Sequence, residues 1–137
     1  MKEKYMAPTL KIWSTPNIHL QHFEYPDDMD KECIKICDIF NSCGLTTKYS
    51  CCGHGKTDFR VIFDDNVTTT QMKEFLSLFE NQYTHSPFLG RFTMWMRKMN
   101  GNIVTNWMYE ARHEIEAGRD VLTLLKEITG SEKDFDT

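Results

Sequence analysis

Leu45-Thr46-Thr47-Lys48-Tyr49-Ser50-Cys51-Cys52-Gly53-His54-Gly55-Lys56-Thr57-Asp58-Phe59-Arg60-Val61-Ile62-Phe63-Asp64 holds two strand-like runs separated by a glycine-rich turn. Alternating β-branched, aromatic and polar residues mark both runs. Leu45, Thr47, Tyr49 and Cys51 would share one face of the first strand, and Phe59, Val61 and Phe63 one face of the second. Gly53 and Gly55 flank His54, so the backbone between the runs can take positive φ and reverse sharply. The stretch therefore predicts an antiparallel hairpin with its chemistry-bearing side chains at the turn.

Upstream, residues 1–17 are a lead-in interrupted by Pro8 and Pro16, and residues 18–25 alternate imperfectly as a first strand ended by Pro26. Asp27 and Asp28 are N-cap candidates for a helix running to about Cys43. On it Met29, Cys33, Ile36, Cys37 and Phe40 line one apolar face, which makes the two cysteines small core residues, and Gly44 suits a left-handed stop.

Downstream, Thr68 and Gln71 form a capping-box pattern before the stripe Met72, Phe75, Leu76 and Phe79. A loop over 83–90 contains Pro87. Asn100-Gly101, between runs 92–99 and 103–109, predicts a hairpin with a type I′ turn. The row Phe92, Met94 and Met96, with Trp95 and Trp107, reads as core packing. Residues 114–129 are helical again, with Ile115, Val121, Leu122, Leu125 and Ile128 inward, although Gly118 allows a start nearer Arg119. The tail, 131–137, is polar and frayed. The order is β-α-β-β-α-β-β-α: one α+β domain over 1–137, with about three helices on a mostly antiparallel sheet of two hairpins plus the N-terminal strand.

The 137 residues suffice for one core, and an apolar fraction of 40% with three Trp, five Tyr and nine Phe excludes a disordered chain. Sixteen basic against 20 acidic residues give a net charge of -4, which argues against non-specific attachment to nucleic acid or an anionic membrane. No apolar run approaches the ~20 residues that span a bilayer. Met1-Lys2-Glu3-Lys4-Tyr5 has no apolar stretch after its charges, so no secretory signal is expected, and the address is cytoplasmic with its five cysteines reduced.

Residues 50–56 are the candidate site. A glycine-permitted nest of backbone N–H groups, with Ser50, Gly53, His54, Gly55, Lys56 and Arg60 around it, suits a nucleotide-like or other anionic small molecule. Alternation would put Lys48, Ser50, Cys52 and Arg60 on one face, and Tyr49 or Trp95 could stack a base. Two alternatives stay open at the same loop. Zinc could take Cys51, Cys52 and His54, though Cys-x₂-Cys is missing and adjacent strand residues face apart. An enzyme acting on a nucleotide or RNA could use His54 as acid or base, or Cys52 as nucleophile, Cys51 being read as the more buried thiol. His19 and His22 fall on opposite faces of a strand, and Glu110, Glu114 and Glu116 read as a solvated face. The Met- and Trp-rich second hairpin offers a third class, a protein-interaction module.

Gly44-x-x-Thr47-x-x-Ser50-Cys51-x-Gly53-His54, preceded by a helix and followed by a strand, resembles a set of small proteins of bacteria and their phages. The resemblance implies a phage protein that sequesters a host signal or inhibits a host protein in counter-defence, without turnover. The same stretch is distantly similar to the wybutosine-synthesis tRNA methyltransferase family through Asn41, Thr46, Thr47, Ser50, Cys51 and Gly53. That likeness would imply S-adenosylmethionine and RNA. Two residues separate Thr47 from Ser50 here, and His54 stands where that family has arginine. Partners on these readings are a small anion, a host protein, RNA or a second copy of the chain, with no membrane.

Overall fold

A computed structural model describes residues 19–78 and 88–129. The elements are α1 (Lys31–Ser42), β1 (Thr47–Cys51), a 3-10 turn (Gly53–Gly55), β2 (Phe59–Phe63), α2 (Thr69–Ser77), β3 (Arg91–Met99), β4 (Asn102–Ala111) and α3 (Glu114–Thr129). The strands form one antiparallel sheet in the order β1-β2-β4-β3. Phe40 of α1 meets Phe63, Phe75, Phe92 and Tyr109 edge-on or tilted, and Asp120 of α3 reaches Tyr109. All three helices therefore cover the face that carries Phe59, Val61, Phe63, Phe92 and Tyr109. Among the described residues no helix covers the other face. Class, helix count and single sheet agree with the sequence reading.

Local signals explain most boundaries. The α1 stripe Cys33, Ile36, Cys37 and Phe40 is buried as its spacing requires. Gly44, at φ +87, lets the Leu45 N–H close back on the Phe40 carbonyl, the C-terminal bond of a Schellman-type stop. Thr68 and Gln71 make the reciprocal capping box at the start of α2. Asn100 and Gly101, at φ +52 and +83, form the tight turn between β3 and β4.

Several expectations fail for identifiable reasons. Residues 19–25 form no strand: the Gln21 and Phe23 N–H groups find the Ser42 hydroxyl and the Asp38 carboxylate of α1 instead of a ladder. Buried Asp38 also accepts the Tyr25 hydroxyl at 2.7 Å and faces His22 Nδ1 at 3.1 Å, so this segment straps α1. Asp30, not Asp27 or Asp28, occupies the N-cap position of α1. α3 spans Glu114–Thr129 as expected, without the later start at Arg119, and turns Val121, Leu124, Leu125 and Ile128 inward, but Ile115, 72% exposed, and Leu122 face out. In the 92–96 row only Phe92 packs on the core; Met94 and Met96 are exposed. Phe79, the loop over 83–87, the lead-in 1–17 and the tail 131–137 lie outside the described residues.

The largest correction lies in β1. Thr47 pairs with Phe63 but Tyr49 with Ile62, so Lys48 is an extra residue, a bulge that reverses the faces beyond it. Tyr49 and Cys51 consequently share the helix-free face with Arg60, whereas Ser50 lies under α1 and Cys52 is buried.

Candidate functional site

The loop after β1 is built by accounting for its amides. Cys52 N–H donates to Asp30 Oδ2 at 2.9 Å, Gly53 N–H to Cys51 Sγ and His54 N–H to Cys52 Sγ, both at 3.4 Å. Lys56 and Thr57 N–H groups both donate to the Gly53 carbonyl. Five amides that an anion would need are thus turned onto internal acceptors, and two of those acceptors are sulfurs. Gly53, His54 and Gly55 all have positive φ (+82, +51 and +76), and at Gly53 a Cβ would sit 2.9 Å from the Asp58 carbonyl. Glycine is required there by space as well as by φ.

Around this turn stand a carboxylate, an imidazole and two thiols. Asp30 makes no side-chain cap bond to its own helix; its carboxylate faces the loop instead, 3.7 Å from His54 Nε2. Cys52 Sγ lies 3.7 Å from His54 Nδ1. One ligand atom each from Asp30, Cys51 and His54 falls within a mutual 4.8 Å; Glu32, Cys52 and Glu114 form a second such trio. The Cys52 N–H bond, above all, holds the Asp30 carboxyl below its ordinary range. The His54 N–H favours the Cys52 thiolate, but burial and the Asp30 and Glu32 carboxylates outweigh it, so that thiol is raised. Burial and a raised pKa both work against Cys52 as a nucleophile. The His54 side chain is 66% exposed.

The remaining candidates disperse. Ser50 neighbours the Cys33 and Cys37 thiols under α1, where burial pushes those thiols up to about 12 and about 11. Lys56 and Gly55 are exposed at the turn. Arg60 faces outward in a row across the sheet, Cys51–Arg60–Glu110–Arg91; Glu110 sits 3.2 Å from Arg60 and 3.4 Å from Arg91. Tyr49, 55% exposed, belongs to the same face, and the nearby Cys51 thiol is the first cause that raises its hydroxyl pKa. Trp95 is on that face too but on the far strand, opposite Asn106, with the Arg97 guanidinium 5.3 Å above its ring. Trp95 therefore lies away from the loop, whereas the Tyr49 hydroxyl approaches the Cys51 thiol and feels the Asp30 charge. Sequence reasoning missed Asp30, because its role depends on α1 meeting the hairpin.

At the opposite end of the sheet, β4 pairs with β2 only through residues 108–111, while β3 and β4 stay paired to their tips. Residues 94–106 therefore project as a two-stranded ribbon from a root at Asn106, which is buried and donates to the Phe63 carbonyl and to Asp65. Met94, Trp95, Met96, Met99 and Ile103 on it are between 42% and 63% exposed. The ribbon carries Arg97 and Lys98 and no acidic residue.

Fold and site together define a small α+β protein: a one-sided antiparallel sheet with a thiol–imidazole–carboxylate turn at one end and an apolar, basic ribbon at the other. The family model described as YoqC prophage protein matches residues 21–129, and the chain belongs to that family. No curated protein and no solved structure matches it. The family supports the phage side of the resemblance, and the likeness to wybutosine-synthesis methyltransferases finds no support in these comparisons. Among the described residues no helix is long and apolar enough to cross a membrane.

Proposed function

We propose that this prophage-family protein acts by binding, without turnover, and that the ribbon of residues 94–106 seats it on an acidic protein surface with an apolar groove, most simply that of a host protein. The observation that carries the reading is the exposure of Met94, Trp95, Met96, Met99 and Ile103 on one projection. Solvated apolar patches of this kind mark interaction sites, and exposed methionines adapt to irregular partners. Covering a half-exposed side chain of this size gains roughly 1 kcal/mol. Five of them reach only the lower end of the ~4–15 kcal/mol that association costs. Arg97 and Lys98 must then contribute, which makes the partner acidic and the complex salt-sensitive.

The test places a photo-crosslinking residue at Met96 of the full chain in host cells, and at exposed Glu74 of α2 as control. A discrete adduct at 96 that weakens with salt and is absent at 74 supports the reading; equal labelling at both, or none, overturns it. An adduct of twice the chain mass would mean the occupant is a second copy.

A second reading has its own observation. Tyr49 is exposed on the helix-free face that also carries Arg60 and Arg91, an arrangement able to stack a base and meet a phosphate. A nucleotide-like ligand, or a short RNA, would bind there rather than in the turn. A nucleotide panel read by thermal shift, with a stabilised protein that Tyr49→Ala and Arg60→Ala no longer give, would support it.

A further inference from the structure

We propose that Asp30, Cys51 and His54 form a site for one borderline-soft divalent ion, zinc(II) being the expected occupant. The three donors come from separate segments: the start of α1, the end of β1 and the turn between β1 and β2. Their ligand atoms already lie within 4.8 Å of one another, and His54 Nε2 stands 3.7 Å from Asp30. Tetrahedral bonds of about 2.0–2.3 Å put ligand atoms roughly 3.5 Å apart, so modest side-chain rotation closes the set.

The donor chemistry selects the ion. A thiolate and an imidazole are poor ligands for magnesium or calcium, which take oxygen, and suit zinc or its cobalt(II) surrogate. Charge also balances: Asp30 and Cys51 supply two negative charges against the 2+ ion. On binding, the Cys51 thiol forms the metal–sulfur bond and releases its proton to solvent.

The loop is arranged to hold a thiolate. Gly53 N–H points at Cys51 Sγ from two residues on, and His54 N–H repeats the pattern at Cys52. Such bonds fix the direction of the sulfur. Cys52 is not counted as a ligand: it is buried, and its sulfur groups with Glu32 and Glu114 instead. It stands by the other ring nitrogen of His54 and orients that ring. Exposed His54 leaves the ion reachable from solvent, with a fourth position for water or for a side chain offered by a partner.

The experiment is cobalt(II) titration of the reduced, metal-free full chain, followed by zinc. A near-ultraviolet sulfur-to-cobalt charge-transfer band saturating at one ion per chain, and bleached by zinc, is the expected result. Cys51→Ser should abolish the band, and His54→Ala should weaken binding at least about tenfold. Asp30→Asn keeps an acceptor for the Cys52 N–H and should weaken binding while the far-ultraviolet circular dichroism stays unchanged. Cys43→Ser, on the far end of α1, should bind as the parent does. Absence of a one-to-one band in the parent, or its survival in Cys51→Ser, overturns the proposal. Should Cys51→Ser fail to fold, unaltered affinity in exposed His54→Ala does so equally.

Discussion

At the scale of single residues, the most consequential groups are carboxylates spent on bonds outside their own helix. Buried Asp120 accepts Leu89 N–H, Gly90 N–H and the Tyr109 hydroxyl at 2.6–2.8 Å, tying α3 to the start of β3 and to β4. Burial first, then that hydrogen bond, raises the Tyr109 pKa, so the phenol stays a donor. Gly90 has no room for a side chain, because a Cβ would meet the Glu110 carbonyl at 2.6 Å and the Tyr109 ring at 2.7 Å. Glu116 takes both the Arg112 N–H and its guanidinium, and the side-chain bond is the main reason its pKa is lowered; Asp65 is lowered likewise by the Asn106 amide and then by Lys48. A carboxyl held down in the folded state binds fewer protons there than in the unfolded chain. Its stabilisation is complete above the ordinary carboxylate range, about 3.9–4.3, and is lost as pH falls through the folded value. Urea unfolding midpoints should therefore drop from pH 6 to pH 3, and Glu116→Gln should drop less over the same interval. An equal drop would show that Glu116 carries none of the acid sensitivity.

At the scale of elements, the turns separate two uses of glycine. Gly44 and Gly53 both have positive φ, but a Cβ at Gly44 meets nothing within 4 Å, whereas at Gly53 it meets the Asp58 backbone. Gly44→Ala should cost about 1 kcal/mol in chemical denaturation, the strain of a left-handed alanine alone, and Gly53→Ala clearly more. Equal costs would mean that the 53–58 segment yields freely. The helix starts and stops were legible because their causes are local: Thr68 sees Gln71 three residues on, and Gly44 follows its own helix. The faces of β1 were not, since nothing within residues 45–51 announces that Lys48 will be squeezed out of the ladder. That single slip moved Tyr49 and Cys51 outward and Ser50 and Cys52 inward, and with them half of the site. Residues 19–25 misled for a related reason, because alternation alone cannot show that Asp38 and Ser42 will take the backbone bonds a strand would need. The region of the candidate site was readable in Cys51-Cys52-Gly53-His54; Asp30 was not, being twenty-one residues from Cys51 in sequence and brought there by packing.

At the scale of the whole molecule, the sheet divides its labour along its length. One half lies under helices, where Phe40, Phe63, Phe75, Phe92 and Tyr109 interlock; the other half of β3 and β4 runs on beyond β2 as a ribbon. A ribbon that supports no core can be altered without unfolding the protein, which is what an interaction arm requires. Met96→Asp with Ile103→Asp, both side chains more than 60% exposed, should leave the denaturation free energy within about 0.5 kcal/mol of the parent. Phe92→Ala, two turns of the pleat away on the same strand, should cost about 3 kcal/mol by opening a hole between Phe40, Phe75, Phe88 and Tyr109. The two variants then part fold from function: the double aspartate should lose the crosslinked partner while keeping its stability, because it adds negative charge to the one projection that carries only positive. A double aspartate that destabilises as Phe92→Ala does would place the ribbon in the core's cooperative unit, and one that keeps its partner would move the contact surface elsewhere on the molecule.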